Sequence, residues 1–139
     1  MVKDILFVCT ENSARSQMAE GFFNHHNKDP EYIGISAGTL PVKSIKPYAI
    51  RAMKEKGIDI SSHAPKLLTF KMAEDAERII TMGCIKGCPL TPKEKTEDWN
   101  LDDPAGKSID EFRKIADKIE KKIIKLVALI QQDIKKRQA

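Results

Sequence analysis

An α/β fold is predicted for this chain: one domain over residues 1–139, with a four-stranded parallel sheet and helices on both faces. Three observations predict it. A short apolar run near the N-terminus turns directly into residues at helical spacing, strand-like and helix-like segments then alternate along the chain, and no repeat, low-complexity stretch or interdomain linker interrupts them.

The first strand is Asp4 to Cys9, nearly unbroken in apolar and β-forming residues, as expected of a strand covered on both faces. From Ser13 onward Ala14, Met18, Ala19, Phe22 and Phe23 recur at helical spacing, so a helix follows at once. A second strand is expected over Tyr32 to Ala37, closed by Gly38, and a second helix over Pro47 to Lys56, with proline in its first turn and Gly57 after its end. Glu77 to Met82 reads as a third strand, Gly83 to Pro92 as an irregular loop, and a short fourth strand is expected through Trp99 to Leu101. Ser108 and Glu111 form a capping box ahead of Ile109, Phe112, Ile115, Ile119, Ile123, Leu126, Val127 and Ile130, the apolar face of a long final helix.

Composition narrows the function classes. Hydrophobic residues make up 41% and charged residues 32%, and no apolar run reaches the length of a membrane helix, so no membrane partner is expected. The formal charge of +4 comes largely from lysines that alternate with acids on the last helix, and no basic stripe interleaves with aromatics, so no nucleic-acid partner is expected either. The N-terminus has no secretory pattern, and three cysteines suit thiols in a reducing cytoplasm better than a disulfide scaffold. A monomer is expected.

The chemistry concentrates where the first strand meets the first helix. Parallel sheets bind ligands at the carboxyl ends of their strands, and Cys9 stands at such an end. The segment Cys9-Thr10-Glu11-Asn12-Ser13-Ala14-Arg15-Ser16 is expected to form an oxyanion loop. Successive backbone N–H groups and the helix N-terminus would cradle a tetrahedral anion, and Arg15 would close the cradle bidentately. The same field favours a Cys9 thiolate over the thiol. Asn12 suits a left-handed backbone position, and Ser13 or Ser16 can donate to the sulfur. Neither G-x-G-x-x-G nor G-x-x-x-x-G-K-S/T occurs, which excludes the usual nucleotide loops. A nucleophile that displaces an oxygen from a tetrahedral oxyanion also needs an acid for the departing group, and Asp102-Asp103-Pro104 offers one, with proline restricting the residue before it.

The segment from Phe7-Val8-Cys9 through Arg15-Ser16-Gln17-Met18-Ala19-Glu20-Gly21 resembles the signature of the thioredoxin-coupled arsenate reductases, which share their Cys-x5-Arg loop and fold with the low-molecular-weight protein tyrosine phosphatases. The similarity continues through Ser36-Ala37-Gly38, Ala52 to Ser61, Cys88-Pro89 and Trp99 to Ala105. The resemblance implies a Rossmann-like three-layer fold, Cys9 as nucleophile, Arg15 as anion binder and Asp103 as general acid.

Cys84 and Cys88 stand four apart just after the third strand. On an ideal helix such a pair lies ~5–6 Å apart at Cβ, wider than a disulfide accepts, but Gly83, Gly87 and Pro89 permit local unwinding. Taken alone the pair admits a structural role, a metal site with His25, His26 or His63, or a redox role; the histidines lack the carboxylate spacing of catalytic ones and are expected at the surface or in caps. The resemblance implies the redox role. Cys84 attacks the Cys9–arsenic adduct, Cys88 then attacks Cys84, and thioredoxin reduces the final pair, so no cofactor is needed beyond thioredoxin's reducing equivalents. The alternative is a low-molecular-weight tyrosine phosphatase using Cys9, Arg15 and Asp103, although Ala105 stands where those enzymes usually carry an aromatic residue. Other departures are Glu11 in place of glycine, Ala14 in place of a second loop cysteine, and a shorter spacing between Cys84 and Cys88. Some relatives bind potassium through residues matching Asn12, Glu20 and Ser36 plus an aspartate; Lys66 takes the aspartate's place here, so no metal is expected.

Overall fold

In the computed structural model, which describes residues 1–83 and 91–138, four parallel strands form one sheet in the order β2-β1-β3-β4. The strands are β1 (Lys3–Cys9), β2 (Tyr32–Gly38), β3 (Arg78–Thr81) and β4 (Thr96–Asp98). The helices are α1 (Arg15–His26), α2 (Pro47–Glu55), α3 (Phe70–Asp75) and α4 (Ile109–Gln138), with a 3₁₀ turn at Lys93–Lys95.

The alternation of side chains along β1 explains the layers. Ile5, Phe7 and Cys9 point into the larger core with Met18, Phe22 and Phe23 of α1 and Ile115, Ile119 and Ile123 of α4. Leu6 and Val8 point the other way, into a smaller core with Leu68 and with Ala73 of α3. Both faces are therefore covered, which accounts for the unbroken apolar run. Helix α1 is buried over most of its length between sheet and α4, including Arg15, Ser16 and Gln17 at its start. At its other end His26 meets Glu120 of α4 at 2.8 Å, and Lys56 donates to the same carboxylate at 2.9 Å. Burial pushes the Glu120 carboxyl up, but the hydrogen bonds from Lys56 and His26 together with the positive charge beside it hold the group below its ordinary value.

One expectation needs correction, and one helix was not expected. The fourth strand is Thr96–Asp98, not Trp99 to Leu101. It lies at the sheet edge with polar, largely exposed residues, so no apolar run marks it; Trp99 and Leu101 are the buried chain that follows, bonding through their N–H groups to Thr81 and Met82 carbonyls at 2.9 and 3.1 Å. Helix α3 has no counterpart among the sequence-based expectations, since it is six residues long and buries only Ala73; its one local mark is Thr69, whose side chain accepts from Met72 N–H.

Candidate active site

Cys9 ends β1 and α1 begins at Arg15, so residues 10–14 must turn the chain through the gap beyond the sheet. Asn12 takes φ 53°, a left-handed conformation that asparagine tolerates better than most residues. This turn aims the Asn12 N–H at Cys9 Sγ, 3.2 Å away, while the Ser16 hydroxyl lies 2.9 Å from the same sulfur. Cys9 is almost wholly buried, 3% exposed. Donors brought to the sulfur beside a helix N-terminus stabilise negative charge that forms on it.

The loop rests directly on β2. A Cβ on Gly38 would sit 2.5 Å from the Thr10 carbonyl oxygen and 2.9 Å from Asn12 Cβ, so glycine is required by the close approach of the loop rather than by its own φ. Backbone bonds from Leu40 N–H to the Thr10 carbonyl and from Lys46 N–H to the Ser13 carbonyl, each 2.8 Å, fasten the outer side.

Arg15 is 5% exposed and fixed along one edge: its Nη1 donates to the carbonyls of Met82 at 2.9 Å and Leu101 at 3.0 Å. Its Nη2 lies 3.6 Å from Asp103 Oδ2. The Asp103 side chain is more than half exposed, and its Oδ1 accepts from Ala105 N–H at 3.0 Å, an Asx turn that holds the carboxyl toward the loop. Cys9, Thr10, Glu11, Ser13, Ala14 and Arg15 line one small cleft together with Asp103. Loop, guanidinium and carboxyl thus meet at the carboxyl ends of β1 and β3, from segments far apart in sequence.

Asn12 and Ser16 stand behind this cleft rather than in it. Asn12 Nδ2 donates to Ser16 Oγ at 2.7 Å, and Asn12 Oδ1 accepts from Gln17 Nε2 and from Lys66 N–H at 3.0 and 2.9 Å. Of the two serines expected near the sulfur, Ser16 takes that role; Ser13 Oγ turns to Glu11 Oε1 at 3.3 Å. Glu11 does not confront the cleft as an uncompensated charge, because Lys46 Nζ lies 3.4 Å from the same oxygen. Cys84 and Cys88 lie outside the described residues.

His63 departs from expectation. It is not a simple surface or capping residue: its Nδ1 lies 3.1 Å from both Gln17 Oε1 and Glu20 Oε2, in the layer beneath the loop. The sequence carries no local signal for this, because the partners are more than forty positions away on α1.

Residues 4–138 match the family described as low molecular weight phosphotyrosine protein phosphatase. Among curated proteins, the chain is 42% identical over 124 residues to "Arsenate reductase 2" of Staphylococcus saprophyticus, covering 87% of this chain and 93% of that protein. A solved arsenate reductase in a phosphate-binding state superposes with a TM-score of 0.83 at 35% identity, covering 93% of this chain and 99% of the other. A thioredoxin-dependent arsenate reductase of Corynebacterium glutamicum gives 0.80 at 32% identity, covering 95% of this chain and 63% of its own. With a cysteine-arginine loop of this geometry at the end of β1 and a match that runs from β1 to the end of α4, the chain belongs to the low molecular weight phosphotyrosine protein phosphatase family, with arsenate reductases among its relatives.

Proposed function

We propose that this chain is an arsenate reductase in which Cys9 is the nucleophile and Cys84 and Cys88 carry the electrons away. The observation that carries the reading is the convergence of Asn12 N–H and Ser16 Oγ on a buried Cys9 sulfur beside Arg15 and Asp103, in a chain 42% identical to a protein named arsenate reductase.

Arsenate enters the loop of residues 10–16, held by backbone N–H groups and Arg15, whose fixed Nη1 edge leaves its other nitrogens directed to the cleft. The Cys9 thiolate attacks arsenic and an As–S bond forms as hydroxide departs, protonated to water by Asp103. The Cys84 thiolate then attacks Cys9 sulfur. The As–S electron pair passes to arsenic, which leaves as arsenite reduced by two electrons, and a Cys9–Cys84 disulfide remains. Cys88 attacks Cys84 and expels the Cys9 thiolate; thioredoxin reduces the Cys84–Cys88 disulfide through its own dithiol. The likeness to the thioredoxin-dependent arsenate reductase of C. glutamicum, which extends over 95% of this chain, supports thioredoxin as reductant. The enzyme acts in the cytoplasm as a monomer.

No metal enters the scheme. Where relatives use an aspartate for potassium, Lys66 Nζ lies 3.9 Å from Glu20 Oε1, which also accepts from Ser36 Oγ at 2.8 Å, so an ammonium supplies positive charge at that place.

Steady-state assay with thioredoxin, thioredoxin reductase and NADPH tests the proposal. NADPH oxidation is expected to require arsenate, to be matched by arsenite formed, and to stay within about twofold when potassium replaces sodium. Hydrolysis of an aryl phosphate with no arsenate-dependent NADPH oxidation would instead assign the chain to the phosphatases of its family.

A further inference from the structure

We infer that Glu11 is a specificity-determining residue, a carboxylate at the mouth of the cleft that admits oxyanions free or joined to a neutral or basic group and disfavours those joined to an acidic one. The inference rests on residues 10–16 being the oxyanion site but not on arsenate or on the relay cysteines.

Position 11 is where the loop departs from the pattern it resembles, with a carboxylate in place of glycine, and the fold pins that side chain. Glu11 Oε1 accepts from Ser13 Oγ at 3.3 Å and lies 3.4 Å from Lys46 Nζ. The Glu11 carbonyl accepts from Val42 N–H at 3.2 Å, so main chain and side chain are both tied to the segment between β2 and α2. Both side-chain contacts are made by Oε1; Oε2 has no protein partner among the described residues. A fixed carboxylate with one free oxygen is thus left beside the oxyanion loop.

The charges are not arranged symmetrically about the cleft. Glu11 lines it and Lys46 does not; the lysine lines a neighbouring hollow of about 430 Å³ with Tyr48, Gly106, Lys107 and Phe112. The ammonium therefore offsets Glu11 from outside, and a group leaving the cleft meets the carboxylate first. Any group borne by the oxyanion must leave, because the cleft itself is only about 20 Å³. The charged side chains of the lining are Arg15, Glu11 and Asp103. Arg15 and the loop N–H groups alone would favour an acidic substituent as they favour the oxyanion. Asp103 is offset by Arg15 Nη2 at 3.6 Å, and it carries a proton when it acts as the acid, which leaves Glu11 as the negative group at the mouth. A free oxyanion places nothing there and escapes the repulsion that an acidic substituent incurs.

The test is protection of Cys9 from iodoacetamide at pH 8, read on the tryptic peptide 4–15, which contains no other cysteine. The protecting ligands are phenylphosphonate and its 4-aminomethyl and 4-carboxy derivatives, which are not turned over, so half-protecting concentrations report binding alone. In wild type the 4-aminomethyl compound is expected to protect at about tenfold lower concentration than the 4-carboxy compound, and the gap to narrow in about 0.5 M NaCl. Glu11→Gln keeps the shape and loses the charge, and is expected to bring the two within about twofold. Lys46→Gln keeps the main-chain N–H that holds the Ser13 carbonyl, and is expected to widen the gap to about thirtyfold. A merely structural role for the pair would move all three phosphonates alike. A gap that persists in Glu11→Gln would assign the preference to Asp103 and overturn the inference, as would equal protection by the charged compounds in wild type. Should Glu11→Gln fail to fold, Lys46→Gln decides, and a gap that does not widen overturns the inference. Protection by none of the three would overturn the reading of residues 10–16 as the oxyanion site, and this inference with it.

Discussion

Cys9→Ser is expected to lower both arsenate reduction and aryl phosphate hydrolysis by about a thousandfold or more, with little change in thermal stability. Serine nearly matches the volume of cysteine, so the buried space at the end of β1 stays filled. A hydroxyl, however, stays protonated at neutral pH even with Asn12 N–H and Ser16 Oγ directed at it, and the described residues lining the cleft include no histidine to take its proton. Cys84→Ser and Cys88→Ser separate the two chemistries. Each is expected to abolish multiple-turnover arsenate reduction while leaving aryl phosphate hydrolysis within about twofold, since ester hydrolysis needs no electrons. Equal loss of hydrolysis in all three variants, measured by release of the aryl alcohol, would contradict the division of labour among the thiols.

The second large effect is at Arg15. Arg15→Lys keeps the charge but is expected to reduce kcat/KM for arsenate and aryl phosphate by about 10²–10³-fold. The guanidinium does two things at once that an ammonium cannot. Nη1 holds the Met82 and Leu101 carbonyls, which sets the plane of the group, and the rest of the fork faces Asp103 and the cleft. A lysine satisfying those carbonyls would turn its charge away from the anion, and one reaching the anion would leave the Leu101 carbonyl short of a donor. Urea unfolding is accordingly expected to show a loss of ~1–2 kcal/mol. A variant with wild-type kcat/KM would show that charge alone suffices.

These partners of Arg15 also show where reading the sequence stops. The strand-loop-helix unit around Cys9 is legible because each of its marks is local: an unbroken apolar run, helical spacing from Ala14 to Phe23, and a cysteine and arginine at fixed distance. The strand order, the direction of Arg15 and the pairing of Glu11 with Lys46 depend on segments brought together by folding. Edge strand β4 carries Thr96, Glu97 and Asp98, whose polarity is what an exposed edge requires and what hides a strand from a hydrophobicity pattern. His63 escapes the sequence for the same reason: a histidine in a Ser-Ser-His-Ala-Pro stretch gives no hint that its ring reaches Gln17 and Glu20 under the loop. Gly38 is legible as the end of β2 but not as the floor of the loop, since only the fold puts Thr10 and Asn12 against it.

If Cys84 and Cys88 give up the two electrons that reduce arsenate, one turnover leaves a disulfide between them. Fully reduced protein is mixed with one equivalent of arsenate, with phosphate as the control, quenched in acid, and its disulfides are mapped by mass spectrometry. One Cys84–Cys88 disulfide and one arsenite per protein are expected with arsenate, and three reduced thiols with phosphate. Three reduced thiols in both samples, with no arsenite formed, would rule out reduction by the chain's own thiols.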